Sequence, residues 1–140
     1  MIEDIIAAAG GEIESRMRLI KLSFLVDYEH FKQFGKQLSN YDWIYHYYGP
    51  YSFELMKQLH RLSEAGPIIE GYDDLAGIYY YKLVTDINPE PFVESVVKKY
   101  SKFSAGELKE ICYKILDEYG VKPGEKIFEK IKNVSSRKHQ

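Results

Sequence analysis

The spacing of apolar residues changes along the chain, and each change predicts an element. Ile2 to Ala9 predicts a short helix, broken by Gly10-Gly11. From Ile13 to about Gln33 the period is helical: Ile13, Met17, Ile20 and Phe24 share one stripe, which Leu25, Tyr28 and Phe31 continue. Gly35 ends that helix and Ser39-Asn40 turn the chain. Tyr41 to Tyr48 is then almost continuously aromatic or β-branched, which suits a pleated surface and predicts a strand. Gly49-Pro50 closes it, because proline cannot donate to a ladder and its fixed φ suits the first turn of a helix. Either Gly49 or Ser52 serves as the N-cap. Leu55, Leu59 and Leu62 form the next helical stripe, flanked by Phe53 and Met56. Gly66-Pro67 ends it, glycine being the residue that tolerates a left-handed helix terminus.

Ile68-Ile69 opens a strand, Tyr72 to Gly77 reads as a loop, and Ile78 to Val84 as a second strand. Residues 85–91, with two prolines, read as a linker. Beyond it only helical patterns remain. Phe92 to about Phe103 turns Phe92, Val93, Val96, Val97 and Tyr100 inward. Ser104 and Glu107 have the spacing of a capping box ahead of Leu108, Ile111, Cys112, Ile115 and Leu116, and Gly120 stops that helix. Lys122-Pro123-Gly124 opens a last helix with Ile127, Phe128, Ile131 and Val134 apolar; Ser135 to Gln140 reads as a frayed end.

Two runs in this pattern are distinctive. One is Arg16-Met17-Arg18-Leu19-Ile20-Lys21-Leu22 leading to Phe24-Leu25; the other is Tyr48-Gly49-Pro50-Tyr51-Ser52-Phe53-Glu54-Leu55 followed by Leu62 to Ile69. Together they resemble a YwgA-like family of small prokaryotic proteins, which is similar to the antitoxin SocA-like Panacea domain. The resemblance covers roughly residues 10–85; Pro67 stands where the related pattern has leucine. It implies a winged-helix-like fold and a regulatory or toxin-neutralising role, and it supplies no catalytic residues. The expected architecture is therefore α+β: a winged-helix-like domain over 1–85 with a small antiparallel sheet, the aromatic run being its third strand, and a helical extension over 86–140 packed on it.

Charge refines this picture. The net charge is −2 over 140 residues, so the whole chain is not a strongly basic nucleic-acid binder. Residues 1–84 carry −4 and residues 85–140 carry +2. In a winged-helix domain the outward face of the third helix enters the major groove. Here that face would present Lys57, Gln58, His60 and Arg61, residue types that meet phosphates and base edges. Arg16, Arg18 and Lys21 form a second basic cluster, equally able to pair with Glu12, Glu14 and Glu29 along the chain. Glu70, Asp73 and Asp74 in the expected wing would repel phosphate. The segment 121–140 adds a basic end. The 13 tyrosines, concentrated at 41–51 and 79–81, suit sheet packing, a protein interface or the stacking of single-stranded bases.

No catalytic grouping is visible. His30, His46, His60 and His139 lack metal-ligand spacing. Cys112, the one cysteine, sits on an apolar stripe as an inert buried thiol would. No glycine loop suits a phosphate. The expectation is a non-catalytic, cytoplasmic protein with no cofactor, no metal and no membrane partner. It would be a DNA-binding transcriptional regulator or, alternatively, a protein-binding adaptor or antitoxin-like neutraliser. A homodimer is compatible with either role.

Overall fold

The computed structural model describes residues 1–138, without the side chains of Arg137 and Lys138. The chain runs α1 (Ile2–Ala8), β1 (Glu12–Glu14), α2 (Arg16–Phe34), β2 (Ile44–His46), β3 (Gly49–Tyr51), α3 (Phe53–Ala65), β4 (Ile68–Asp73), β5 (Ile78–Leu83), α4 (Pro91–Tyr100), α5 (Ala105–Glu118) and α6 (Ile127–Lys138). The class is α+β, as expected. The helices fall close to their predicted places, and the capping box at Ser104 and Glu107 forms in both directions. The expected frayed end is helical from Ser135 to Lys138; the part of that expectation at residues 139–140, His139 included, lies outside the described residues.

The sheet is assembled differently from the expectation. Antiparallel β4 and β5 form the predicted hairpin, but the third strand is β1, in the order β1-β5-β4. Ile13 therefore belongs to a strand and not to the long helix. It is buried opposite Tyr81, while Glu12 and Glu14 point outward. Three residues of alternation are too few to stand out beside a helix of 19. The helix proper begins after Ser15, whose hydroxyl accepts the Arg18 N–H at 3.3 Å.

The aromatic run is likewise not one long strand. Only Ile44–His46 pairs regularly, with Gly49–Tyr51, in a separate two-stranded sheet. Gly49, at φ +98, lies in the left-handed region that favours glycine and reverses the chain. Pro50 thus sits in β3 opposite Tyr45 and not in the first turn of a helix. Ser52 is the cap of α3: its hydroxyl accepts the Leu55 N–H at 3.3 Å. Trp43 and Tyr45 take further backbone partners from the far end of the sequence. Ile127 N–H donates to the Trp43 carbonyl at 2.9 Å, Tyr45 N–H to Glu125 at 3.0 Å, and Gly124 N–H to Tyr45 at 2.7 Å. Those contacts occupy residues 124–127 and delay the start of α6 to Ile127, later than the expected opening at Lys122-Pro123-Gly124.

Gly66 closes α3 without the left-handed geometry expected of it: φ is −121. It is needed for closeness instead. A Cβ there would stand 2.8 Å from the Leu62 carbonyl oxygen.

One apolar core joins these parts, drawing on every helix and on both ends of the described chain. Phe24 of α2 lies at its centre, with ring centroids 5.5 Å from Trp43 and 5.8 Å from Phe128. One carboxylate is buried among them. Asp27 accepts Trp43 Nε1 at 2.7 Å, the Ser39 N–H at 2.8 Å, Gln37 Nε2 at 3.3 Å and the Ser39 hydroxyl. Such a charge is tolerable in a core only when its lone pairs are occupied this fully.

Candidate functional site

The two distinctive sequence runs meet at Gly49. Lys21, on α2, is only 3% exposed, and its ammonium donates to the Pro50 carbonyl at 3.1 Å. A Cβ on Gly49 would lie 3.4 Å from Lys21 Nζ and 3.6 Å from Tyr113 Cε1. Those are ordinary contact distances, so it is the positive φ of +98, and not closeness, that calls for glycine where the hairpin rests on α2 and α5. Burial pushes the Lys21 ammonium down to about 8 from its usual value; the Lys109 charge pushes the same way and Cys112 opposes it. Among the described residues no Asp or Glu forms an ion pair with Lys21.

Outside this buried contact the hairpin carries an exposed aromatic ledge. Tyr47 is 85% exposed, Tyr48 63% and Phe53 55%. Their neighbours His46 and Tyr51 link Tyr47 to Phe53: ring centroids are 4.9 Å apart for His46 and Tyr47, which meet edge to face, 5.1 Å for the tilted His46–Tyr51 pair, and 5.1 Å for Tyr51–Phe53, again edge to face. Beside the ledge lies a groove of about 350 Å³, walled by Met17, Ile20, Pro50 and Tyr51 and bordered by Arg16 and Lys21. Lys109 Nζ stands 5.6 Å from the Tyr48 ring centroid, close enough for a cation–π attraction.

The predicted basic cluster on α2 divides in three directions. Arg16 borders the groove, donates from Nε to the Tyr81 hydroxyl at 2.8 Å, lies 4.1 Å over the Tyr79 ring and pairs with Glu70 at 3.8 Å. Arg18 donates to the Ser101 carbonyl at 3.0 Å and to the Phe103 carbonyl, tying α2 to the end of α4. Lys21 is the buried residue just described. None of the three pairs with Glu12, Glu14 or Glu29; Glu29 instead accepts Lys99 at 2.9 Å and the Tyr100 hydroxyl at 2.7 Å.

The α3 set stays on its own face. Lys57, His60 and Arg61 are exposed, and the C-terminal helices do not cover them. His60 lies 3.0 Å from Glu64, and Gln58 is half-buried, accepting the Tyr41 hydroxyl. None of these four residues lines the groove.

Sequence reasoning missed Lys109 and Tyr113, because nothing local ties α5 to a hairpin some sixty positions earlier. It also missed Asp27, although a lone acid inside Leu25-Val26-Asp27-Tyr28 was a visible signal. Cys112 is buried, and burial pushes its thiol up to about 12 against the opposing Lys21 charge. Among the described residues, no three His, Cys, Asp or Glu side chains gather closely enough to hold a metal ion. No described helix is long and apolar enough to cross a membrane.

A family profile described as "Antitoxin SocA-like, Panacea domain" matches residues 19–116, well over half of the chain. The matched span takes in Lys21, the Tyr48 to Leu55 run and α3. It passes beyond the sequence-level resemblance to include α4 and most of α5. No curated protein and no solved structure matches the chain.

Proposed function

This chain belongs to the antitoxin SocA-like Panacea domain family, and on that premise we propose that it acts by binding another protein, as an antitoxin-like neutraliser or adaptor without catalysis of its own. The observation that carries this is the aromatic ledge of Tyr47, Tyr48 and Phe53, exposed beside a groove on the run that first suggested the family. Large rings with polar tips supply contact area at low entropic cost and are the residues most often found at the centre of protein interfaces. The 1–85 portion carries this surface in a winged-helix-like arrangement, and the helices of 86–140 pack on it, with Lys109 of α5 beside Tyr48. The protein works in the cytoplasm, in keeping with a single cysteine and no disulfide.

DNA binding through α3 is the weaker proposal. Lys57 and Arg61 are free to meet phosphate, but Glu54, Glu64, Glu70, Asp73 and Asp74 lie on the same helix and the following hairpin. These carboxylates oppose a polyanion.

The test is co-expression with the product of the adjacent gene. The expected result is relief of that product's growth inhibition and a complex that persists when salt is raised. Neutralisation that survives Tyr48→Ala combined with Phe53→Ala would place the contact elsewhere. The absence of any complex, with retention of DNA fragments that salt abolishes, would overturn the proposal in favour of DNA.

A further inference from the structure

Lys21 is a cation that the fold buries without supplying a carboxylate. Among the described residues its one hydrogen-bond partner is a neutral carbonyl, that of Pro50. This differs from how the fold treats its other enclosed charge, since Asp27 receives four donors. A buried ammonium can donate three hydrogen bonds and is costly to leave without a counter-charge. The neighbouring charges add to the imbalance. Lys109 lies near enough to depress Lys21 further, and Arg16 borders the same groove. The one carboxylate paired with Arg16, that of Glu70, stands 3.8 Å from it. The walls between these cations are apolar or aromatic: Met17, Ile20, Tyr48, Pro50 and Tyr51.

Resting on the protein-binding role above, we infer that this groove receives an acidic side chain of the protein partner, a glutamate or aspartate flanked by an apolar residue, with Lys21 as the anchoring cation. The carboxylate supplies the missing counter-charge and shares the ammonium with the Pro50 carbonyl. The flanking apolar residue lies against Met17, Ile20 and Tyr51. Charge-assisted bonds of this kind are roughly twice as strong as neutral ones, and more effective where water is excluded.

The probe requires no knowledge of the partner. Acetyl-Phe-Glu-Phe-amide is titrated into the full chain uniformly labelled with nitrogen-15, and the Lys21 ammonium and Gly49 amide resonances are followed. The glutamate peptide should shift both signals, and acetyl-Phe-Gln-Phe-amide should bind about tenfold more weakly or not at all. In Lys21→Met, which retains the shape of the stem, the Gly49 shift should vanish while signals elsewhere show an intact fold. Equal shifts from the glutamine peptide would overturn the proposal, as would no shift at Lys21 with either peptide. A shift only with acetyl-Phe-Phe carrying a free C-terminal carboxylate would overturn the assignment to a side chain. Because no toxin is present, a failure here is distinct from a failure of neutralisation, which the co-expression test reads separately.

Discussion

The Lys21 ammonium on α2 donates to the Pro50 carbonyl in β3 at 3.1 Å, and this bond fastens the aromatic hairpin to the longest helix. It joins a residue first read as part of an exposed basic cluster to one first read as a helix start.

Replacing Lys21 by methionine should raise stability near neutral pH. The substitution removes an enclosed charge and keeps the apolar stem, and exchanges of buried ions for hydrophobic residues often stabilise by about 1–4 kcal/mol. Urea denaturation at pH 7 measures it. A loss of more than about 1 kcal/mol would mean that the Pro50 bond outweighs the cost of burial.

The same group should make stability depend on pH. Its folded value is about 8 against an ordinary 10.5, so between those values the unfolded chain holds more protons than the folded one. Stability therefore rises with pH from about 8, by at most about 1.4 kcal/mol per pH unit. Above about 9 Cys112 works in the opposite direction, since its folded value is raised and the unfolded thiol loses its proton first. Tyr28, Tyr41, Tyr81 and Tyr100, all raised chiefly by burial, add to that loss above 10. Wild type should thus gain stability between pH 8 and 9 and Lys21→Met should not, as thermal melts across that range would report.

Asp27→Ala should destabilise strongly, by about 3–5 kcal/mol. It strands Trp43 Nε1 and two Ser39 donors in or beside the core, while Gln37 Nε2 keeps its bond to the Tyr41 carbonyl at 2.9 Å. Asp27→Asn keeps the volume but turns an amide N–H toward donors, so it should recover only part of that loss. A midpoint for Asp27→Ala close to wild type in urea would show that water or rearranged side chains take over the bonds.

Gly66→Ala should cost about 1–3 kcal/mol, although φ at this position is one any residue adopts. The cause is the Leu62 carbonyl oxygen, 2.8 Å from the new Cβ. A variant as stable as wild type would mean that the end of α3 shifts freely.

Tyr48→Ala and Phe53→Ala should leave stability within about 0.5 kcal/mol of wild type, because both rings are largely exposed. Partner affinity should fall by about tenfold or more for at least one of them. Lys57→Ala and Arg61→Ala should leave affinity unchanged. Calorimetric titration of the complex separates these outcomes.

The sequence by itself determined the helices, the Ser104–Glu107 cap, the β4–β5 hairpin and the family, because these depend on periodicity, capping chemistry and short-range spacing. The aromatic run was legible as a special segment but not as its true shape. Its partners are residues 124–127 and Lys21, and no local propensity records pairings with residues so far away in sequence. Tertiary structure alone decided that Ile13 completes the sheet and that Arg16, Arg18 and Lys21 part ways. It also decided which tyrosines face the core and which form a ledge. A helical spacing fixes where side chains leave the backbone, but burial follows from what packs opposite. For Lys21 that is the β2–β3 hairpin, folded back onto α2 at Gly49.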